Sequence, residues 1–273
     1  MFQEMLQNVR EKSPLIHNIT NYVTVNDCAN ILLACGGSPI MADDLAEVEE
    51  ITSLCGGLNI NIGTLNHRTI PAMIAAGKRS NVLGHPVVLD PVGAGASALR
   101  TDTARRLVEE VKFTVIRGNI SEIKALSGAS AATKGVDADL ADRVTEENLG
   151  EAVAFAKSFA KAAGAVTAIT GAIDIVTDGE TAYCIRNGRP EMSRITGTGC
   201  QLSALTAAFV TANPDQPLRA AAAAVCAMGL CGEIAWARMT PADGNASYRN
   251  YILDAVYNLT PQQLEEGANY EVR

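Results

Sequence analysis

The stretch PVVLDPVGAGASALRTDTARRLVEEVKFTVIR, residues 86–117, decides the fold. It opens on PVVLD (86–90), which is apolar up to its last residue, and closes on FTVIR (113–117). Runs that are apolar along most of their length suit strands covered on both faces. Between them a glycine-rich segment, PVGAGAS (91–97), precedes residues 102–111, which have a helical period. Strand, helix and strand in this order read as a crossover unit, whose two strands lie parallel in one sheet.

The same alternation extends in both directions. GLNINI (57–62) and AVTAIT (165–170) read as further covered strands, and residues 43–54, 69–83 and 146–163 as helices. DIVTD (174–178) and TAYCIR (181–186) flank the turn Asp178-Gly179-Glu180, which predicts an antiparallel hairpin. Residues 201–239 are rich in alanine and poor in charge, and Asn213-Pro214 and Gln216-Pro217 divide them into two helices. Alanine permits close approach, so these two helices are expected centrally against the sheet. A last helix follows Asp243-Gly244-Asn245 and ends near Asn258. With no linker and no internal repeat, the chain reads as a single α/β domain, 1–273, with a mostly parallel central sheet.

Composition narrows the function. Of 273 residues 48% are apolar and 19% charged, which excludes a disordered chain. The net charge of −8, with no basic tract, argues against a nucleic-acid or anionic-membrane partner. Seven cysteines at irregular spacings, with no CxxC, predict free thiols in a reducing, cytoplasmic compartment. MFQEMLQNVREKSPL at the N-terminus has no apolar signal core. The longest apolar run, 220–232, falls short of the ~20 residues of a membrane span and suits a buried helix. His17, His67 and His85 form no local metal motif, and His17 reads as structural.

Ligands of α/β sheets bind beyond the carboxyl ends of the strands. Asp90 stands at one such end. Arg117, Asn119 and Glu122 crowd a second, and Thr170 tips a third. ITGTGC (195–200) then runs through Gly197 and Gly199 into a helix whose start can hold an anion, with Cys200 in its first turn. Each piece has a plainer reading. Asp90 also reads as a cap, and Asn119 with Glu122 as a capping arrangement. Arg117 also reads as a structural ion pair, Thr170 as a turn, and Cys200 as a small buried apolar residue. Asn18 and Asn21 can make local turns, and Met41 is by default a core residue. Together, however, carboxylates for Mg²⁺, an arginine and an anion hole are the parts of phosphoryl transfer, and the missing GxxxxGK[ST] excludes a P-loop enzyme.

The chain resembles the hydroxyethylthiazole kinases, the thiazole-salvage enzymes of thiamine biosynthesis in the ribokinase-like superfamily. The resemblance is carried in order by SPLIHNITNYVTVNDCAN (13–30), GGSPIMA (36–42), NIGTL (61–65), LDPVGAGAS (89–97), IRGNISEI (116–123), KGVDA (134–138), AITGAIDIV (168–176) and ITGTGC (195–200). It implies a ribokinase-like three-layer α/β/α sandwich, assembled as a homotrimer with active sites at the subunit interfaces. It also implies Mg²⁺-dependent transfer of phosphate from ATP to 4-methyl-5-(2-hydroxyethyl)thiazole. By the same resemblance Asn21, Val23, Met41, Gly63, Thr196 and Gly197 would bind the thiazole, and Arg117, Asn119, Thr170 and Gly199 the ATP phosphates. Asp90 and Glu122 would organise Mg²⁺. Cys200 would take the place of the aspartate base of related sugar kinases, assisting rather than dominating. Two other readings stand beside this one: a kinase for another small heterocyclic alcohol, such as a hydroxymethylpyrimidine, and a nucleotide-binding protein without turnover.

Overall fold

A computed structural model describes residues 1–128 and 143–273. The KGVDA block lies outside the described residues. The opening stretch folds as expected: β4 (Val87–Asp90), α5 (Ala98–Glu110) and β5 (Val115–Asn119), with β4 and β5 parallel. Around this unit stand β1 (Leu15–Ile19), β2 (Ser38–Met41), β3 (Gly57–Asn61) and β6 (Val166–Thr170); β2, β1, β3, β4, β5 and β6 are mutually parallel in sheet order, and β6 is antiparallel to the strand on its other side. β7 (Asp174–Thr177) and β8 (Ala182–Ile185) form the predicted antiparallel hairpin, and β9 (Tyr270–Val272) adds antiparallel to β8. The sheet order is β2-β1-β3-β4-β5-β6-β7-β8-β9.

Helices cover both faces, which makes the expected three-layer sandwich. One apolar cluster joins the sheet to α1 (Phe2–Lys12), α2 (Val25–Cys35), α8 (Thr198–Ala212), α9 (Pro217–Ala237), α10 (Asn245–Asn258) and α11 (Pro261–Gly267). The other joins it to α3 (Val48–Leu54), α4 (Thr69–Leu83), α5, α6 (Ile120–Ser127) and α7 (Leu149–Ala163). This division follows from handedness. The chain steps from β1 to β2 in one direction, with α2 on one face, and from β2 through β6 in the other, with the connecting helices on the opposite face. Right-handed crossovers require that arrangement. The direction therefore reverses between β1 and β3, and a crevice opens at their carboxyl ends.

The two alanine-rich helices, α8 and α9, are central as expected. α8 lies against β1, β3 and β4, and nearly all of its residues are buried. α9 is long and apolar enough to cross a membrane, but 78% of its most apolar window is buried inside the molecule. Two expectations need correction. The helix expected over 43–54 starts only at Val48, because the Asp44 side chain accepts the N–H of Ala46 and turns the chain first. β1 and β2 were not read as strands. Buried polar side chains, His17 and Asn18, interrupt β1, and Pro39 interrupts β2.

Candidate active site

The carboxyl ends of β1, β3 and β4 lie against α8, and those of β5 and β6 join them through Arg117. Asp90, the last residue of β4, is fully buried. Its Oδ2 accepts from Ser203 Oγ at 2.7 Å and from Asn61 Nδ2 at 2.9 Å. Asn61 ends β3 and pairs with Asp90 in the parallel register, which puts the two side chains side by side. Arg117 Nη1 lies 3.5 Å from the same oxygen, while Oδ1 has no partner among the described residues. Burial pushes the Asp90 carboxyl above its ordinary range. Arg117, Ser203 and Asn61 oppose that shift, and Glu122 adds to it.

Arg117 continues the site toward β6. Its Nη2 donates to Thr170 Oγ1 at 2.6 Å, and its Nε has no partner among the described residues. Gly199 lets the guanidinium approach the start of α8, since a Cβ there would stand 2.6 Å from Nη1. Beyond Thr170, Asp174 accepts the Gly171 N–H at 2.8 Å. Burial pushes its carboxyl up to about 7 against the Gly171 N–H and Arg117.

Asn119 and Glu122 take the plainer of the two readings their spacing allowed. The Asn119 side chain accepts the Glu122 N–H at 2.9 Å, and Glu122 Oε2 accepts the Asn119 N–H at 2.8 Å, a complete capping box at the start of α6. Glu122 Oε1 also accepts the Gly93 N–H at 2.8 Å, tying the glycine-rich loop to the same helix. Arg100 ties that loop to the next, donating to Gly63 O at 2.7 Å and to Val92 O at 3.4 Å.

Cys200 lies buried in the first turn of α8. Gly197 caps the helix at φ +88°, and a Cβ there would stand 2.5 Å from Thr24 Cγ2, so both backbone and space require glycine. Asn21 Nδ2 and Asn61 Nδ2 each donate to Cys200 Sγ at 3.2 Å. Cys28 differs. Burial, with Cys200 close by, pushes its thiol up to about 12, which keeps it neutral.

The remaining predicted residues stand at or near strand and helix ends on this side of the sheet. Gly63 follows Asn61, and a Cβ on it would stand 3.0 Å from Asn21 Cβ. Met41 is half-buried at the end of β2, paired in register with Asn18. Val23 is 58% exposed, and Thr196 is exposed before α8. His17 is structural. Its ring is fully buried between Thr52 Oγ1 and Ala42 O, each at 2.9 Å. The sequence reading missed Asn61, Ser203 and Asp174. Ser203 had a signal, standing three residues after Cys200 on one helical face. Asn61 ends a predicted strand as Asp90 does.

Among the described residues no group of three or more His, Cys, Asp or Glu could hold a metal. A cation here would need water and ligand oxygens beside Asp90, which is how Mg²⁺ is usually held.

A family model described as "Hydroxyethylthiazole kinase family" matches residues 6–262. A hydroxyethylthiazole kinase of Clostridium acetobutylicum is 65% identical over 99% of both chains. One from Clostridium beijerinckii is 52% identical over 96% of this chain and 94% of its own. Among solved structures, a hydroxyethylthiazole kinase protein from Pyrococcus horikoshii OT3 superposes with a TM-score of 0.88 at 36% identity, covering 100% of this chain and 98% of that one. A Staphylococcus aureus pyridoxal kinase in complex with ADP shares the fold, with a TM-score of 0.63 at 16% identity over 95% of this chain and 97% of its own.

Proposed function

The chain belongs to the hydroxyethylthiazole kinase family, and from that premise we propose that it transfers the γ-phosphoryl group of ATP to the hydroxyl of 4-methyl-5-(2-hydroxyethyl)thiazole, the salvage step of thiamine biosynthesis. The whole chain, 1–273, acts as one domain. The observation that carries this reading is the meeting, at the start of α8, of a thiol held by two amides with an arginine and a buried carboxylate that has a free oxygen.

In this reading Cys200 borders the substrate hydroxyl and assists the departure of its proton. Phosphoryl transfer depends mainly on positioning and charge, so a weak base suffices. Arg117 leaves Thr170 Oγ1 for phosphate oxygens, and Thr170, Gly199 and Asn119 line the path of the triphosphate. The free Oδ1 of Asp90 fits Mg²⁺. Glu122, whose oxygens already accept backbone N–H groups, would help hold the ion and keeps the glycine-rich loop in place. Mg²⁺, when bound, neutralises charge on the phosphates. Asn21, Val23, Met41, Gly63, Thr196 and Gly197 seat the thiazole ring. The exposure of Val23 supports a homotrimer in which a neighbouring subunit closes the pocket. Seven free, buried thiols fit a cytoplasmic enzyme.

The test is formation of thiazole phosphate from ATP by the purified protein, with and without Mg²⁺, beside a hydroxymethylpyrimidine control, on protein whose mass in solution is measured. Mg²⁺-dependent thiazole phosphate from a species of three chain masses is expected. Cys200→Ala should lower kcat by about 10- to 100-fold without abolishing it. Folded protein that binds ATP and forms no thiazole phosphate overturns the reading.

A further inference from the structure

Asn61, 1% exposed at the end of β3, spends its whole amide inside the site. One N–H goes to Asp90 Oδ2 at 2.9 Å and the other to Cys200 Sγ at 3.2 Å. Its Oδ1 accepts from the Gly63 N–H at 2.9 Å and from Asn21 Nδ2 at 3.0 Å. Asn21 is saturated in the same way. Its Nδ2 serves Asn61 Oδ1 and Cys200 Sγ, and its Oδ1 accepts from Thr24 N at 3.1 Å and Thr24 Oγ1 at 3.0 Å. A primary amide offers two N–H donors and two acceptor positions, so neither side chain has capacity left. Turning either amide over would set N–H against the backbone N–H of Gly63 or Thr24, and for Asn61 would set oxygen against the Asp90 carboxylate. The orientation of both is thereby determined. The sulfur receives two N–H groups, which select its rotamer and direct the S–H away from them.

We infer that Asn61 is a positioning residue for the transfer, holding the Cys200 sulfur in register with Asp90 so that one amide sets the spacing between the alcohol side and the phosphate side of the site. This rests on the kinase reading above. Misplacement of a reacting group by ~1 Å can cost about 100-fold in rate, and a single amide shared by both sides guards against that.

The test measures kcat, and KM for the thiazole alcohol at saturating ATP, in Asn61→Asp and Asn61→Ala, each made in the wild type and in Cys200→Ala. Asn61→Asp keeps the acceptor for Gly63 and Asn21, deletes the donor to Cys200 Sγ, and sets a second carboxyl against Asp90, where a shared proton replaces the other N–H. Asn61→Ala carries the test if the aspartate variant does not fold. The expected result is a loss in kcat of about 10- to 100-fold with KM changed less than about threefold. In the Cys200→Ala background the same substitution should cost at least about fivefold less, since part of its effect runs through the sulfur. Ser203→Ala, which removes the other donor to Asp90 Oδ2, should show no such coupling to Cys200. A wild-type kcat in Asn61→Asp, or equal losses in both backgrounds, overturns the inference alone. A folded wild type that forms no thiazole phosphate overturns the kinase reading and this inference with it.

Discussion

Removing the guanidinium of Arg117 would leave the fully buried Asp90 with Ser203 and Asn61 as the partners of its Oδ2. Both are neutral donors, so nothing would balance the charge. Breaking a buried ion pair typically costs about 3 kcal/mol or more. Here the carboxyl is already pushed toward its protonated form by burial, and taking up a proton would limit the loss. Arg117→Ala should therefore fold, with stability lower by about 2 kcal/mol in urea titrations. If Arg117 acts on the phosphates as proposed, the variant's kcat/KM for ATP should fall by about 100-fold or more, because a charge-stabilising donor would be gone. Arg117→Lys should recover only part of this, since an ammonium cannot serve Thr170 and Asp90 with separate nitrogens as Nη2 and Nη1 do. A lysine variant with wild-type kcat/KM would show that the fork geometry is irrelevant.

At the scale of elements, the glycines of α9 invite a direct comparison. A Cβ on Gly229 would stand 2.6 Å from the backbone carbonyl carbon of Asn187, which cannot yield. A Cβ on Gly232 meets the tip of the Met192 side chain, which can turn away. Gly229→Ala should lower stability by about 1–3 kcal/mol, and Gly232→Ala by less than about 1 kcal/mol or even raise it, in thermal or chemical unfolding. Equal effects would mean that backbone approach does not limit the packing of α9. The same scale shows what was legible in the sequence. Strands β3 to β8 and helices α4, α8 and α9 announced themselves through apolar runs, period and punctuation. β1 did not, because a strand that buries His17, Asn18 and, nearby, Asn21 looks polar. The site was legible where chemistry stood at a predicted strand end, as with Asp90, Arg117 and Thr170. Asn61 stood at such an end too. Its meaning depended on which strands adjoin, and pairing across β1, β3 and β4 is not written in any local stretch. The roles of Asn119 and Glu122 were ambiguous because a cap and a phosphate site use the same spacing.

For the whole molecule, two groups, the buried His17 and the half-buried Asp174, tilt stability with pH in opposite directions. Burial holds the His17 ring below its ordinary 6.5, so the unfolded chain takes up a proton first. That contribution to stability is present above about 6.5 and is lost as pH falls toward the lowered value. Asp174, pushed from 3.8 up to about 7, does the reverse. Its contribution is full below 3.8 and is lost as pH rises to about 7. Asp174→Asn, which keeps an acceptor for the Gly171 N–H, removes only the second slope. The variant should gain melting temperature relative to the wild type at pH near 7, and the gain should shrink steadily on acidification toward 4, as read by thermal melts across that range. A gain independent of pH would show that Asp174 titrates normally.

The first helix reaches the end of the chain. The amino group of Met1 lies 2.6 Å from Glu265 Oε2, and α1 packs on α8, α9 and α11. A ribosome delivers these partners long after α1. When residues 1–194 have emerged, α3 to α7 can already shelter one side of the nascent sheet, while the opposite side has only α1 and α2 and still lacks the helices that begin at Thr198. That waiting side is apolar, the kind of surface on which chaperones act and partly made chains adhere. Cys200 arrives on the first of these later helices, so covering this side of the sheet and completing the candidate site are one event.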